Sequence, residues 1–428
     1  MTPSGTYETI VVGGGPAGST AAALLAEKGR KVLLLEKSRF PRYHIGESLI
    51  PFCYFTLKRL GLIEKLDKSG FTVDKYSVQF VSTNGKLSQP FYFDEHLDHP
   101  CSHTWQVWRQ DFDRMLLANA REKGAEVREG WQVKEVLEDS GRTVGVRVLD
   151  EAGTEHEFRA PMTIDATGRD ALSVARRGWR VRDPYLNKIA VWTYYKGATR
   201  PPGKDGGATI VAFVPERGWF WWIPLAHDTV SVGVVAEKDY LFRETRDLAQ
   251  VFAQEVKQNR WIEEHLAAGT PSGEFRTTGE FSYRSKYCAA DGLLLAGDAF
   301  AFLDPVFSSG VFLALKGGEM AADAVDAALS AGDVSAARFA AYSEAYCHGL
   351  ESMRQLVYAF YDVNFHFRDL FSKYPETRGA LTDCLIGDLH RDYKPLFDKV
   401  KEFASVPAPL AHGRPLIGAE GSACASPS

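Results

Sequence analysis

Gly13-Gly14-Gly15-Pro16-Ala17-Gly18 follows an apolar run at residues 7 to 12 and opens a helical pattern from Pro16 to Lys28, which Gly29 stops. Residues 31 to 36, Lys-Val-Leu-Leu-Leu-Glu, then read as a second buried strand. Strand, glycine turn, helix and strand in this register predict a βαβ unit, and that commits the chain to a parallel sheet with helices on its faces. Gly13 permits the tight turn, Gly15 lets the backbone approach a pyrophosphate, and Gly18 lets the helix pack on the strand. Pro16 and Ala17 begin the helix whose positive end faces that negative charge. Glu36, followed by Lys37, ends the second strand 23 residues after Gly13, where an acid takes ribose hydroxyls. The motif predicts a dinucleotide and does not separate FAD from NAD.

At 428 residues the chain exceeds one hydrophobic core, so several intimately packed units are expected. Leu293 to Ala296 repeats the buried-strand signature, and Val311 to Leu329 reads as the helix after it, closed near Gly332. The nucleotide fold is therefore expected to be discontinuous, over 1–75, 102–182 and 275–334. Between its pieces, 76–101 and 183–274 are rich in Val, Ile, Trp, Tyr and Thr and predict an inserted antiparallel sheet. Val230, Val232 and Val234 alternate with small or polar neighbours, as in a sheet solvated on one side. Residues 335–428 predict a helical C-terminal region ending in a loose tail of about 20 residues. A net charge of -5 with mixed signs throughout excludes a phosphate-backbone partner, so no nucleic acid is expected. No apolar run reaches membrane-spanning length and no signal pattern opens the chain, which predicts a cytoplasmic protein. The cysteines Cys53, Cys101, Cys288, Cys347, Cys384 and Cys424 have no C-x-x-C spacing and read as free thiols, with no metal site.

Three further segments refine the nucleotide reading: Arg109-Gln110-Asp111-Phe112-Asp113 at a helix start, Asp165-Ala166-Thr167-Gly168-Arg169 after a strand, and Gly297-Asp298-Ala299 after another. Together they resemble the glutathione-reductase-type FAD-binding Rossmann fold of aromatic hydroxylases and flavin-dependent halogenases. The resemblance implies FAD, with Asp298 at the ribitol, Arg109 on the phosphate and ribitol side, and the helix after Pro305 aimed at the flavin's pyrimidine edge. Spacing alone makes Arg109 the partner of Asp113 in a surface ion pair. No second G-x-G-x-x-G occurs, so reduced FAD is expected from a separate flavin reductase.

Three local patterns resemble the halogenases in particular. Trp219-Phe220-Trp221-Trp222-Ile223-Pro224 fits W-x-W-x-I-P, a stiff, dry indole wall. Gly46-Glu47-Ser48-Leu49-Ile50-Pro51 resembles the family's mobile strap beside the flavin. Phe302-Leu303-Asp304-Pro305-Val306-Phe307-Ser308-Ser309-Gly310 fits F-x-x-P-x-x-S-x-G, and the resemblance implies that the amides of Ser309 and Gly310 form a nest for chloride or bromide. Reduced FAD, oxygen and halide would then give hypohalous acid. Trp219, Trp221, Ile223 and Pro224 would partition the flavin from the organic substrate, so that oxygen transfer to carbon is suppressed.

On the far side of that partition the family carries a lysine, and Lys75 matches it. By itself the residue reads as a solvated strand lysine paired with Asp74. In the family role it either hydrogen-bonds hypohalous acid as an ammonium or reacts as a free amine; only the second needs a pKa lowered from about 10.4 towards 7 or 8. The ammonium role is preferred for that reason. Tryptophan-type halogenases carry a glutamate in the third motif where this chain has Phe307, which points to a ring that activates itself, a phenol or pyrrole. Such a substrate is expected either free or tethered to an acyl carrier protein. His44, His103 and Asp94 lie near these segments and are not nominated as bases, and the aromatics Tyr358, Phe360, Tyr361, Phe365 and Phe367 read mainly as helix core. The rival readings are an FAD-dependent aromatic monooxygenase, a flavin reductase of prenyl double bonds, and a flavin-binding partner protein without turnover.

Overall fold

The computed structural model describes residues 7–215, 218–279 and 282–418. The glycine turn joins Thr9–Val12 to the helix Pro16–Glu27, which returns to Val32–Glu36. Both strands lie inside a six-stranded sheet ordered Ala289–Ala290, Leu293–Leu295, Met162–Asp165, Thr9–Val12, Val32–Glu36, Glu126–Glu129, parallel except at its first strand. Gly13 has φ +102°, and a Cβ on Gly18 would lie 1.9 Å from the Gly13 carbonyl oxygen, so both glycines are required by the turn itself. Val11 and Leu34 face the helix layer formed by Pro16–Glu27, Arg109–Glu122 and Ser309–Ser330. Ile10, Val12, Leu33 and Leu35 face an antiparallel meander, Gln132–Asp139, Arg142–Leu149 and Glu155–Arg159, that the sequence reading did not anticipate.

The second sheet has seven strands, ordered Thr270–Gly279, Lys188–Lys196, Thr229–Glu237, Gly218–Leu225, Thr209–Val214, Ser77–Val81, Phe91–Tyr92. It is antiparallel save for Thr209–Val214 against Ser77–Val81, which run parallel. It is not solvated on one side. Thr229 to Ala236 are all buried, with Val230, Val232 and Val234 packed under the helices Leu248–Val256 and Arg260–Leu266. The small residues between them make room for indoles, since a Cβ on Gly233 would come within 2.3 Å of the Trp221 ring and 2.5 Å of Trp192. An alternation of apolar and small residues thus marks a sheet with aromatic rings on its second face.

The helices Ala340–Tyr361, Phe367–Lys373, Thr377–Ile386 and Lys394–Val400 form the C-terminal region. The first part of the expected tail is held down: Gly413 N–H donates to Lys286 O at 2.9 Å, Cys288 N–H to Arg414 O at 3.1 Å and Leu416 N–H to Ala289 O at 2.8 Å, while residues 419–428 lie outside the described residues. These bonds lay the segment along the edge of the parallel sheet. Among the described residues the five cysteines are free thiols, and no helix is long and apolar enough to cross a membrane; Cys424 lies outside the described residues.

Gly233→Ala is expected to lower stability by about 1–3 kcal/mol, because the methyl displaces Trp221 and Trp192 from a closed core. Urea unfolding checks it, and an unchanged midpoint would contradict the packing described.

Candidate active site

A cavity of ≈ 980 Å³ runs from the glycine turn, past the strap, to the tryptophan strand and the start of Ser309–Ser330. At its first end Gly15, Pro16 and Ala17 form the wall, and a Cβ on Gly15 would meet nothing nearer than Arg42 Nη2 at 3.6 Å. Bare backbone therefore faces open space at the N-terminus of Pro16–Glu27, the cradle a pyrophosphate needs. Gly18 is buried beneath it and serves packing alone. Glu36 borders the cavity with its carboxylate spoken for: Oε2 accepts Gly14 N–H at 2.7 Å and Oε1 accepts Ser38 N–H at 2.8 Å. Lys37 borders it too and pairs with Asp170. These residues fit the adenosine end of FAD.

Arg109 also reaches the cavity, yet its guanidinium is occupied inside the protein. Nε and Nη2 donate to Asp113 at 2.8 and 3.0 Å, while Nη1 donates to the carbonyls of Ile45 and Gly46 at 2.6 and 3.1 Å. The expected surface pair with Asp113 is thus a buried one that anchors the start of the strap. Burial works to raise the Asp113 pKa, but Arg109, with Arg42 beside it, leaves that carboxyl below its usual range. Asp298, on the wall nearby, is shifted the other way: burial outweighs Arg169 and Arg109 and pushes it up to about 6.

The strap runs beside Thr104–Val107, with Leu49 N–H donating to Trp105 O at 3.0 Å and Val107 N–H to Glu47 O at 2.8 Å. Gly46 makes the turn into it at φ +99°. Gly46, Glu47 and Ser48 border the cavity. The Glu47 side chain accepts Tyr194 O–H at 2.6 Å, and burial pushes its pKa up to about 7 against the pull of the Tyr194 and Ser231 hydroxyls. Behind the strap, Lys75 ends the strand Thr72–Lys75 with 0% exposure and no part in the cavity wall. It donates to Ser48 Oγ and Leu49 O, each at 2.9 Å, and its Nζ stands 5.8 Å from the Phe93 ring centre. It is not a solvated lysine paired with Asp74, whose carboxylate takes His103 instead. Burial lowers the Lys75 pKa to about 7, so the free amine is present at neutral pH at no further cost.

Strand parity divides the tryptophan hexapeptide. Trp219, Trp221 and Ile223 border the cavity, whereas Phe220 and Trp222 point into the second core, where Trp222 meets the Trp261 ring at 5.2 Å. Trp222 thus takes no part in the partition, and Pro224, expected in it, shares the parity of Trp222 and is buried away from the cavity. Both cavity indoles are pinned by their N–H groups. Trp221 donates to Ser231 Oγ at 3.1 Å, and Trp219 donates to Tyr361 O–H at 2.8 Å, whose own proton goes to Asp304 Oδ2 at 2.9 Å. Asp304 in turn accepts Val306 N–H at 3.1 Å, so one hydrogen-bond chain ties the indole wall to the third motif. Tyr361 and Asp304 carried no sequence signal for this role, because a helix aromatic at core spacing and a lone acid in a loop look ordinary.

The third motif forms a short turn, Pro305–Phe307, then Ser308 at φ +56°, then the helix from Ser309. Pro305, Ser308 and Gly310 border the cavity, while Ser309 is 2% exposed and lies behind them. No side chain caps the helix. The start of this helix carries the positive end of its dipole, where an anion is favoured. Phe307 packs on Phe360 with ring centres 5.6 Å apart. His103 and Asp94 are held in the pairs His103–Asp74 and Lys204–Asp94.

Comparison with known proteins adds the following. The family described as tryptophan halogenase matches residues 8–94 and 74–371. The chain is similar to a 1H-pyrrole-2-carbonyl-[peptidyl-carrier protein] brominase of Pseudoalteromonas luteoviolacea, 35% identical over 76% of this chain and 79% of that protein. It is similar to the corresponding chlorinase of Pseudomonas fluorescens, 30% identical over 92% of each. Among solved structures, a flavin-dependent brominase superposes with a TM-score of 0.83 at 30% identity, covering 93% of this chain and 98% of that one. The myxobacterial chondrochloren halogenase gives 0.79 at 31% identity, covering 93% and 95%.

Because the Glu47 pKa in the folded protein lies above the ordinary 4.5, the native state holds the extra proton between 4.5 and about 7 and loses that stabilisation as pH rises through the window. Glu47→Gln is therefore expected to be stabilising relative to wild type above about pH 7, by on the order of 2–3 kcal/mol, with the difference shrinking towards about pH 5. Thermal unfolding across that range checks it; a difference that ignores pH refutes the assignment.

Proposed function

The chain belongs to the tryptophan halogenase family, whose members are flavin-dependent halogenases, and from that premise we propose that its substrate is a pyrrole or phenol ring presented on a carrier protein. It is an enzyme that halogenates an aromatic substrate with reduced FAD, oxygen and halide. FAD, when bound and reduced, would supply hypohalous acid from oxygen and halide.

The observation that carries the reading is the pinned indole wall beside a buried lysine. Trp219, Trp221 and Ile223 close the cavity against an organic ring, and the fixed N–H bonds of the two indoles keep them from swinging aside. The amides at Ser309 and Gly310 hold the halide at the helix start. Lys75, behind Ser48 and off the cavity wall, acts on hypohalous acid through the Ser48 hydroxyl that accepts its N–H, and with a pKa near 7 it is present as both ammonium and amine under neutral conditions. The ring then takes the halogen cation equivalent and releases a proton, with water as the second product. Phe307 offers no base to draw that proton, which supports a ring rich enough to react unaided. The carrier-bound substrate is supported by the two pyrrole-carrier relatives. Gly13, Gly15, Pro16, Ala17, Glu36, Arg109 and Asp298 line the cavity and would hold FAD there, with a separate flavin reductase supplying it in reduced form. An aromatic hydroxylase is disfavoured by the same wall, since oxygen transfer needs the ring against the flavin.

The protein, FAD, a flavin reductase, NADH, oxygen and bromide are expected to convert pyrrole-2-carbonyl on a carrier protein, or free resorcinol as a phenol probe, to a product with the bromine isotope pair in its mass spectrum. An added oxygen instead would establish the hydroxylase. Lys75→Ala is expected to abolish bromination while FAD binding, followed by flavin fluorescence, stays within about two-fold; retained bromination removes Lys75 from the mechanism.

A further inference from the structure

Lys75 has no surface on the cavity, so whatever proton it gives or takes must pass through a neighbour. Two hydroxyls stand between. Ser48 Oγ, which accepts from Lys75, lies 2.8 Å from Thr209 Oγ1, and both residues border the cavity. Thr209 shares its strand face with Val211, and Val211 stands directly across from Trp221, so the pair belongs to the wall that carries the indoles. Gln106 Nε2 completes the group, donating to Thr209 Oγ1 at 2.8 Å and to Gly207 O at 3.0 Å. The carbonyl of Gly207 can only accept, which fixes the Gln106 amide with its nitrogen towards Thr209.

Counting protons then determines what the cavity meets. With Lys75 charged, an ammonium N–H fills a lone pair of Ser48, the Gln106 amide fills one of Thr209, and one hydroxyl proton lies between the two oxygens. A single O–H is left over, and it faces the cavity. With Lys75 neutral, Leu49 O retains an N–H, the amine lone pair takes the Ser48 proton, and Thr209 donates to Ser48, so the cavity meets lone pairs only. We infer that Ser48 and Thr209 form a hydroxyl relay that carries a proton between the Lys75 amine and the cavity, with Gln106 as the positioning residue that holds the relay in register. In one direction the ammonium gives a proton to Ser48 Oγ as a hydroxyl of the pair gives its own to an acceptor in the cavity; lysine ends neutral, both hydroxyls are restored and no other bond changes. The relay rests on the proposal that Lys75 acts in halogenation.

Among the described residues, the titratable groups beside Lys75 have partners of their own or stay neutral. Cys53, on the helix Cys53–Leu60, faces Lys75, and burial pushes its thiol up to about 12, so it stays neutral. Asp74 is turned to His103, and Glu47 is bound to Tyr194.

The relay is tested on the full chain carrying lysine labelled with 13C at Cε, the Lys75 signal being assigned by its loss in Lys75→Ala. In Ser48→Ala the ammonium loses an acceptor, so the Lys75 midpoint is expected to fall below that of wild type, and resorcinol bromination at neutral pH to fall about ten-fold. Ser48→Thr, which keeps the hydroxyl, is expected to restore both. Thr209→Val is expected to slow turnover similarly, with Thr209→Ser retaining it. A wild-type midpoint or wild-type turnover in Ser48→Ala overturns the relay. A wild-type protein that brominates no probe removes the halogenation reading instead, and the titration alone then decides whether Ser48 holds the lysine proton.

Discussion

A buried polar tip is held in one place when protein supplies its partner, and Gly218–Leu225 has this for the two indoles on its cavity side, Trp219 and Trp221. Its neighbour Thr229–Glu237 supplies the means: Gly233 opens space for the Trp221 ring, and Ser231 accepts the Trp221 N–H. On the other flank the Trp219 N–H reaches across to Tyr361 and Asp304. Trp219 and Trp221 are consequently fixed at their rings by packing and at their tips by hydrogen bonds. Such a wall does not need a ligand to assemble it.

The electrostatics of the site follow from the same exclusion of water. Lys75 is pulled down to about 7 while Glu47 is pushed up to about 7 and Asp298 to about 6, in each case because burial disfavours the charged form. Arg109 is the counterexample that proves the cause, for a bidentate partner at Asp113 keeps both charges inside the protein. Groups near a neutral pKa border or flank the cavity, while the fully compensated pair secures the strap that separates them. Proton exchange and structural anchoring are thereby assigned to different residues of one wall.

The glycine turn, its helix and the acid at Glu36 were legible because each is a local rule about chain conformation and spacing. The helix starts at Arg109 and after Pro305 were legible for the same reason, although Ser309 rather than Val311 begins the second. Period-two parity is equally legible in the hexapeptide, and it separates Pro224 from Trp219 and Trp221. The meander at 132–159 is hard to read because its outer strands, Gln132–Asp139 and Glu155–Arg159, are charged and partly exposed, although Val144, Val146 and Val148 alternate along the strand between them. The small residues opposite the indoles were read as a wet face because sequence shows size and polarity, not what covers them.

The sequence by itself determined the βαβ nucleotide fold, the halogenase resemblance and which residue types stand in the strap, the hexapeptide and the third motif, since all of these are short-range patterns. Tertiary structure alone decided that Lys75 is dry and joined to Ser48 and Thr209, that Tyr361 and Asp304 brace Trp219, and that Arg109 clamps the strap. The physical reason is separation along the chain: Thr209 meets Ser48 161 residues away and Trp219 meets Tyr361 142 residues away. Burial, and with it the pKa of a lysine, is a property of what folds over a residue, which no local pattern encodes.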